Sequence, residues 1–314
     1  MSMNRKHAIK FLDKIFTDGS KLAPEEKLFS YKDVLYPVIL CQPETFQALE
    51  TFEARMDDII LAGYPKTGNN WLTHILNSLK ITAEKYTEEE MKRRIDIEEQ
   101  LAMTECLEFG DPGKFKRMAK LPSRRTIATH LSPQSLPSSI FKNKAKILVL
   151  VRNPKDTVVS YFHFNEKMPC FPASAWDAYF TDFMNGKVSW GSYFDYVKEW
   201  DKYIDDENVM AVSYEELKED LNLGLKKIAT FFGFSLNEEE FQRVVELSSF
   251  KAMKEIAHKS HGAFGEVLFR KGCVGDWKSL FTESQNQAMD RKFEECLAGT
   301  KLGAKIKYEV YCKV

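Results

Sequence analysis

The segment around Lys66 combines residue types that can bind a phosphate-like anion. Residues 59–62 form an apolar run typical of a buried strand, and the amphipathic stretch from Trp71 predicts a helix. The loop between them brings free N–H groups and the positive end of the helix dipole to one point, which favours an anion. Lys66 adds an ammonium group and Thr67 a hydroxyl. The order differs from a Walker A loop, because Lys66 precedes Gly68 instead of following it.

Two further segments place cations where an anion can approach closely. Arg152 follows an apolar run and Ser160 lies in the predicted helix beyond it, so a guanidinium fork and a hydroxyl can share one phosphate. Arg270 and Lys271 precede Gly272, whose missing side chain allows a close backbone approach. Each segment alone also has a structural alternative: a solvated lysine for Lys66, a carboxylate partner for Arg152, and a basic surface turn for the third.

The composition limits the possible partners. The chain has 314 residues, 44% hydrophobic and 29% charged, with a formal net charge of −1. These values are typical of a globular protein. They argue against general nucleic-acid binding, which needs a basic surface. Residues 1–14 lack the apolar core of a signal peptide, and no run of about 18 apolar residues predicts a membrane span. We therefore expect a cytoplasmic protein with no membrane or nucleic-acid partner.

The cysteines and histidines give no metal-binding or disulfide pattern. The six cysteines form no C-x-x-C pair, and the six histidines form no H-x-x-x-H pair. We therefore expect reduced thiols and no bound metal.

Strands and helices alternate along the chain. We predict strands over residues 57–62, 126–130, 146–151 and 209–213, helices over 70–80, 87–100, from 155 and over 215–232, and a helix followed by irregular structure over 1–56. This alternation predicts an α/β fold: a single domain, residues 1–314, with a central parallel sheet flanked by helices and residues 1–30 as a peripheral segment. Lys66, His130 and Arg152 then fall at the carboxyl ends of strands, where such sheets bind ligands.

Together these segments resemble the cytosolic sulfotransferase family. Residues 64–71 (YPKTGNNW) resemble the family's 5′-phosphosulfate loop, a P-loop-like loop. Residues 152–160 resemble its 3′-phosphate site, and residues 270–278 (RKGCVGDWK) resemble its C-terminal nucleotide signature. The resemblance runs from roughly residue 30 to residue 300. Asn69 and Asn70 indicate a divergent subgroup, the sixth class of the family.

The resemblance implies 3′-phosphoadenosine-5′-phosphosulfate (PAPS) as the sulfonate donor and a hydroxyl or amine of a small molecule as the acceptor, with no metal. The product nucleotide would be 3′-phosphoadenosine-5′-phosphate (PAP). The residues implied for the 5′-phosphosulfate are Lys66, Thr67, Gly68, Asn69 and Asn70; for the 3′-phosphate, Arg152, Ser160, Arg270, Lys271 and Gly272; and for the remaining nucleotide contacts, Trp71, Tyr214, Ser248, Phe250, Leu268 and Phe269.

The resemblance also implies a catalytic pair. His130 would be the general base, since a neutral imidazole near pH 7 is suited to accept the proton of a hydroxyl. Lys66 would neutralise the charge that develops on the leaving phosphate oxygen. A strand-end histidine bonded to a backbone carbonyl is the structural alternative for His130.

Three departures from the family pattern set further expectations. Ala128 stands where many relatives have a lysine before the Thr-His pair. The segment between Phe250 and Arg270 is shorter, which predicts a more open acceptor pocket. Glu283 and Gln287 differ from the family's dimer segment, so we expect a monomer or a weak homodimer.

The acceptor is expected to be a phenol or a hydrophobic alcohol, with an iodothyronine as one example. Phe109, Phe164, Met168 and Phe171 can form an apolar wall, and Glu108 is the acidic candidate for recognising an amine. Two other functions stay open on the sequence alone: a P-loop-like nucleoside kinase, and a nucleotide-binding protein with little activity.

Overall fold

The structure is a computed structural model that describes residues 15–100, 106–261 and 267–313. The strands are β1 (Leu28–Tyr31), β2 (Val34–Pro37), β3 (Ile59–Gly63), β4 (Thr126–Thr129), β5 (Lys146–Val151) and β6 (Val209–Ser213). The helices of the first half are α1 (Pro43–Leu49), α2 (Asn69–Glu84), α3 (Glu88–Gln100), α4 (Lys114–Met118), α5 (Ser138–Lys142) and α6 (Pro154–Lys167). Those that follow are α7 (Trp176–Met184), α8 (Tyr193–Asp201), α9 (Tyr214–Glu219), α10 (Leu221–Phe232), α11 (Glu238–Leu247), α12 (Phe250–His261), α13 (Glu283–Cys296), α14 (Lys301–Lys305) and α15 (Tyr308–Cys312).

The centre of the fold is a four-stranded sheet in the order β4-β3-β5-β6, and every neighbouring pair is parallel. Because side chains alternate along a strand, each strand contributes side chains to both faces of the sheet. Ile60 and Ile147 join the larger apolar core on one face, whereas Leu61 and Leu148 join a second core under α2 on the other. This arrangement confirms the predicted α/β fold with a parallel sheet flanked by helices.

The chain order reverses beside β3. From β3 the chain first forms β4 on one side and then β5 on the other. The loops after β3 and β5 therefore diverge and leave a crevice at their carboxyl ends, the usual ligand position in open α/β sheets. The guanidinium of Arg152, just after β5, donates to the carbonyl oxygen of Lys66, after β3, at 3.1 Å. This hydrogen bond connects the two loops beside the crevice.

The N-terminal part of the chain differs from the sequence prediction. Irregular structure was expected before residue 57, but β1 and β2 form an antiparallel hairpin. Its turn residues Lys32 and Asp33 both have positive φ, 49° and 62°, a geometry for which Asn-Gly is the usual signal. Within the described part of the segment over residues 1–30, which was expected to be peripheral, Ile15 is buried in the larger core.

The predicted helix over residues 215–232 is broken in two. Asp220 adopts an extended conformation with φ −145°, ends α9 and begins α10. Its side chain accepts a hydrogen bond from the N–H of Leu223 at 2.9 Å. Aspartate competes in this way for backbone donors inside a helical pattern, which explains the break.

Candidate active site

One large cavity opens at the carboxyl ends of the parallel strands. It encloses about 480 Å³, within the range usual for small-molecule sites. Each of the four strands is followed by a residue that lines it: Lys66 after β3, His130 after β4, Arg152 after β5 and Tyr214 after β6. The sheet thus brings together the residues that the sequence placed at strand ends.

The loop before α2 is held by its own side chains. The hydroxyl of Thr67 and the side-chain amide of Asn69 both donate to the carbonyl oxygen of Tyr64, at 2.7 and 2.8 Å. Lys66 and Gly68 adopt positive φ, 69° and 117°. Thr67 is fully buried and, unlike the other predicted residues of this loop, does not line the cavity. Its hydroxyl therefore stabilises the loop instead of facing a ligand.

Lys66 carries an ammonium group in an unusual setting. Its Nζ lies 4.2 Å from the centre of the Phe164 ring. Desolvation, followed by repulsion from Arg152 and Arg270, lowers the pKa of Lys66 to about 7. An anion at this position would relieve the repulsion and restore the charge.

Arg152 faces the cavity from a rigid setting. Its guanidinium lies over the Tyr214 ring at 4.4 Å and donates to the carbonyl oxygens of Lys66 and Cys273. No carboxylate forms an ion pair with Arg152 in the part of the chain that the structure describes, so the structural alternative of a carboxylate partner does not hold there. Its buried Nε has no hydrogen-bond partner among those residues.

Lys66 and Arg152 form a first cation cluster at the cavity, and a second cation cluster lies on the loop after residue 268. Arg270, Lys271 and Gly272 line the cavity, as does Ser160 on α6. The side chains of Arg270 and Lys271 both form ion pairs with Asp276. One carboxylate therefore offsets only one of the two positive charges of this cluster.

A buried aspartate fixes this loop to the sheet. Asp156, in the first turn of α6, accepts hydrogen bonds from the N–H groups of Gly275 and Trp277, at 2.8 and 3.0 Å. The side-chain amide of Asn153 also donates to Asp156 at 2.8 Å. These bonds fix the position of the second cation cluster relative to Arg152. The sequence did not single out Asp156, although it lies only four residues after Arg152.

Aromatic residues also line the cavity. Trp71, Tyr214 and Phe250 lie there, with Leu268 and Phe269 also on the cavity wall. The indole N–H of Trp71 donates to the Ser248 carbonyl oxygen at 2.6 Å. Ser248 itself is fully buried and does not line the cavity, but its hydroxyl has no hydrogen-bond partner among the described residues.

His130 has a defined tautomer. Its Nδ1 lies 2.7 Å from the carbonyl oxygen of Gly63. Because a carbonyl can only accept, Nδ1 carries a proton, and in the neutral ring Nε2 holds the lone pair. Nε2 has no hydrogen-bond partner among the described residues, and His130 lines the cavity. The bond to a backbone carbonyl, which the sequence analysis gave as the structural alternative for His130, is therefore present. It occupies Nδ1 only, so Nε2 can still accept a proton.

Most of the residues predicted to form an apolar acceptor wall line the cavity. Phe109, Phe164 and Met168 line it as predicted. Phe171 does not, because its ring packs inside the core against Tyr161 and Phe164. Sequence reasoning missed further wall residues, among them Ile15, Leu40 and Trp190. They come from separate parts of the chain, and no local pattern connects them.

Glu108 does not reach the cavity. It is fully buried, and its two carboxylate oxygens accept hydrogen bonds from the Thr129 hydroxyl, the His130 N–H and the Trp190 indole. The expectation that Glu108 contacts an acceptor amine is therefore not supported by its position. The Cys106 sulfur, a Glu108 carboxylate oxygen and a His130 ring nitrogen, all atom types that can bind a metal ion, lie within 4.8 Å of one another. The Glu108 oxygens, however, already accept hydrogen bonds from Thr129, His130 and Trp190.

The cations and unpartnered donors around the cavity fit an anionic ligand. The unpartnered Nε of Arg152 and hydroxyl of Ser248 are donors that lack acceptors. A Cβ atom at Gly272 would collide with the ring of Phe250, so the glycine permits this packing beside the cations. A ligand oxygen in the cavity would supply an acceptor for Arg152, which lines it.

Comparison with known proteins adds independent findings. A family model described as sulfotransferase domain matches residues 56–301. The chain is 50% identical to sulfotransferase 6B1 of Pan troglodytes over 308 residues, which cover 97% of both chains. It is 49% identical to sulfotransferase 6B1 of Homo sapiens, again with 97% of both chains covered. The crystal structure of mouse sulfotransferase SULT7A1 complexed with PAP is similar with a TM-score of 0.75 and 33% identity, covering 89% of this chain and 98% of that one.

Proposed function

The chain belongs to the sulfotransferase family, and on this premise we propose that it transfers the sulfonate group of PAPS to a hydroxyl or amine of a small hydrophobic or phenolic acceptor. One observation carries the proposal. A single cavity receives cations from the loops after β3 and β5 and an imidazole with a free nitrogen from the end of β4. Cations for an anionic donor and a base for an acceptor hydroxyl therefore face the same space.

Donor binding would use the two cation clusters. Arg152, Ser160, Arg270, Lys271 and the Gly272 backbone would hold the 3′-phosphate, since guanidinium forks and backbone amides suit a dianion. The N-terminus of α2, with Lys66, Gly68, Asn69 and Asn70, would hold the 5′-phosphosulfate. Trp71, Tyr214, Phe250, Leu268 and Phe269 would pack around the nucleoside. Thr67 would act indirectly by shaping the loop, and Ser248 would act by holding the Trp71 indole through its carbonyl oxygen.

The chemistry would depend on His130 and Lys66. PAPS, when bound, supplies the sulfonate. His130 Nε2 would take the proton of the acceptor hydroxyl, while its Nδ1–H remains on the Gly63 carbonyl and keeps the ring oriented. Lys66 would hold positive charge beside the leaving phosphate oxygen. Ala128 supplies no second ammonium, so Lys66 would carry this role alone.

A phenol or hydrophobic alcohol would suit the acceptor side. Phe109 and Trp190 offer aromatic surface next to His130, and Phe164 and Met168 add apolar surface to the same cavity. A flat ring could pack against them with its hydroxyl toward Nε2. A large phenol such as an iodothyronine is one member of this class.

The remaining expectations are part of the same proposal. We propose one domain over residues 1–314, a cytoplasmic location, and a monomer or weak homodimer. In the part of the chain that the structure describes, no helix combines the length and the apolar character needed to span a membrane.

Thermal-shift and turnover measurements test the proposal together. PAP and PAPS should raise the melting temperature more than Mg-ATP does, because only they carry the 3′-phosphate. PAP release should then be measured with matched panels of phenols, hydrophobic alcohols and aryl amines, and phenols should give the highest turnover. Stronger stabilisation by Mg-ATP than by PAP would favour a nucleoside kinase. PAP binding without turnover on any acceptor would favour a nucleotide-binding protein.

A further inference from the structure

Glu108 occupies a fully buried position behind His130. One oxygen, Oε1, accepts from the backbone N–H of His130 at 2.8 Å and from the indole N–H of Trp190 at 3.2 Å. The other, Oε2, accepts from the hydroxyl of Thr129 at 3.0 Å. A carboxylate has room for about four such donors. Glu108 therefore connects the end of β4 to the segment that contains Trp190.

The turn that carries Glu108 is itself anchored. Lys114 is fully buried, and its Nζ donates to the carbonyl oxygens of Cys106 and Phe109, at 2.5 Å each. Desolvation lowers the pKa of Lys114 to about 8. The N–H of Leu107 donates to the carbonyl oxygen of Ala128 at 2.9 Å. The turn is thus tied to β4 on one side and to α4 on the other.

Trp190 is held in an uncommon backbone conformation. Its φ is 62°, a value rare for bulky residues and maintained only by surrounding structure. Its N–H donates to the carbonyl oxygen of Leu35 in β2 at 2.9 Å. The next carbonyl, of Gly191, accepts from the Tyr64 hydroxyl at 2.6 Å. The β1–β2 hairpin and the loop after β3 therefore set where Trp190 lies.

Trp190 and His130 meet at the cavity. Their ring centres are 5.4 Å apart with planes 82° apart, an edge-to-face contact. Phe109 lies 5.9 Å from each of them. The proposed base and two aromatic walls therefore form one cluster, and Glu108 binds two of its three members from behind.

We infer that Glu108 is a positioning residue that fixes the orientation of His130 relative to the acceptor wall at Trp190. The inference rests on the proposed role of His130. Glu108 touches neither donor nor acceptor; it acts through the His130 backbone and the Trp190 indole. A small displacement of a base relative to its substrate is costly, about 10²-fold in rate for about 1 Å.

Two substitutions separate geometry from charge. In Glu108→Gln, the amide oxygen can accept from His130 and Trp190 while the amide N–H group donates to the Thr129 oxygen, so kcat should stay within about tenfold of wild type. In Glu108→Asp, the charge is kept but the carboxylate withdraws by one methylene, so kcat should fall about 10²-fold. For both variants, the PAP dissociation constant should change by less than about twofold, since neither change touches the donor side.

Trp190→Phe provides a second test that leaves Glu108 in place. It keeps an aromatic wall but removes one donor to Oε1. We expect kcat to fall about three- to tenfold, and we expect the effect to be non-additive with Glu108→Asp, because both changes break the same bond. If Glu108→Asp yields little folded protein, this variant and Glu108→Gln still decide the question.

Three results would each overturn the inference. They are a wild-type kcat in Glu108→Asp, a larger loss of kcat in Glu108→Gln than in Glu108→Asp, and losses of kcat that merely follow the folded fraction. His130→Ala is measured alongside. If His130→Ala is as active as wild type, the proposed base fails. If His130→Ala is inactive and Glu108→Asp is fully active, only the role of Glu108 fails.

Discussion

The imidazole Nδ1 of His130 lies 2.7 Å from the carbonyl oxygen of Gly63, the last residue of the neighbouring strand β3. This bond crosses between β4 and β3 at the point where the loop that contains Lys66 begins. It fixes the tautomer of the ring and orients the ring relative to the loop that contains Lys66. The two proposed catalytic side chains are therefore held by the same strand end.

His130→Ala should lower turnover by about 10²- to 10⁴-fold, the usual effect of removing a general base. PAP affinity should stay nearly unchanged, because His130 is not part of the cation clusters. Steady-state kinetics and PAP titration measure the two effects. Activity within a few-fold of wild type would contradict the assignment.

Arg152→Ala should weaken PAP binding by about 1.5–3 kcal/mol, the cost of a lost hydrogen bond to a charged group. ADP, which lacks the 3′-phosphate, should lose much less. Arg152→Lys is the matched control: it keeps the charge but not the fork, and should recover part of the loss. Titration calorimetry with both nucleotides decides the matter, and equal losses for PAP and ADP would mean that Arg152 is structural.

Lys66 predicts a pH dependence of donor binding. Its pKa is lowered to about 7 in the free protein, and a bound dianion should raise it by favouring the ammonium form. PAP binding should therefore take up a proton between about pH 7.5 and 9, and the affinity should fall as the pH rises through this range. Calorimetry in two buffers of different ionisation enthalpy measures the uptake.

Lys66→Arg is the control for this effect. Arginine stays charged over the whole range, so the proton uptake should disappear while binding persists. Unchanged proton uptake in Lys66→Arg would assign it to another group.

Asp156→Asn should destabilise the loop that carries the second cation cluster. The amide retains a single acceptor oxygen for the N–H groups of Gly275 and Trp277, and one unsatisfied buried donor costs about 1–3 kcal/mol in the free energy of unfolding. PAP affinity should fall as well, by about tenfold, because Arg270 and Lys271 lie on this loop. Denaturant unfolding and PAP titration measure the two effects.

Asp195→Asn, at an exposed position in the first turn of α8, is the matched control and should change the unfolding free energy by about 0.5 kcal/mol or less. A similar change for both variants would mean that the Asp156 bonds contribute little.

Glu283 and Gln287 predict a weak assembly. Both are exposed at the start of α13, and the Gln287 side chain donates to the Glu283 carboxylate at 2.9 Å. If two such segments met on a two-fold axis, each Glu283 would lie near its own copy and lose water. Sedimentation velocity at micromolar concentration and neutral pH should therefore give a monomer or a weak dimer. A dimer that survives dilution to nanomolar would contradict this prediction, and Glu283→Val should strengthen any dimer formed through this segment.

The sequence alone determined the local parts of the site. The apolar runs of β3 and β5 are buried on both faces, so their pattern is unambiguous, and Lys66 and Arg152 follow them directly. Short segments of defined residue order also carried the family resemblance. Features of this kind depend on neighbours within a few residues, which a sequence pattern records.

Only the tertiary structure decided which side chains face the cavity. Glu108 and Phe109 are adjacent, yet Glu108 points into a buried network and Phe109 lines the cavity. Trp190 reaches His130 because the hairpin β1–β2, which has no sequence signal in its Lys32-Asp33 turn, fixes its backbone. These placements depend on hydrogen bonds between residues far apart in the chain. Burial makes such bonds obligatory, but the sequence does not state which distant partner satisfies them.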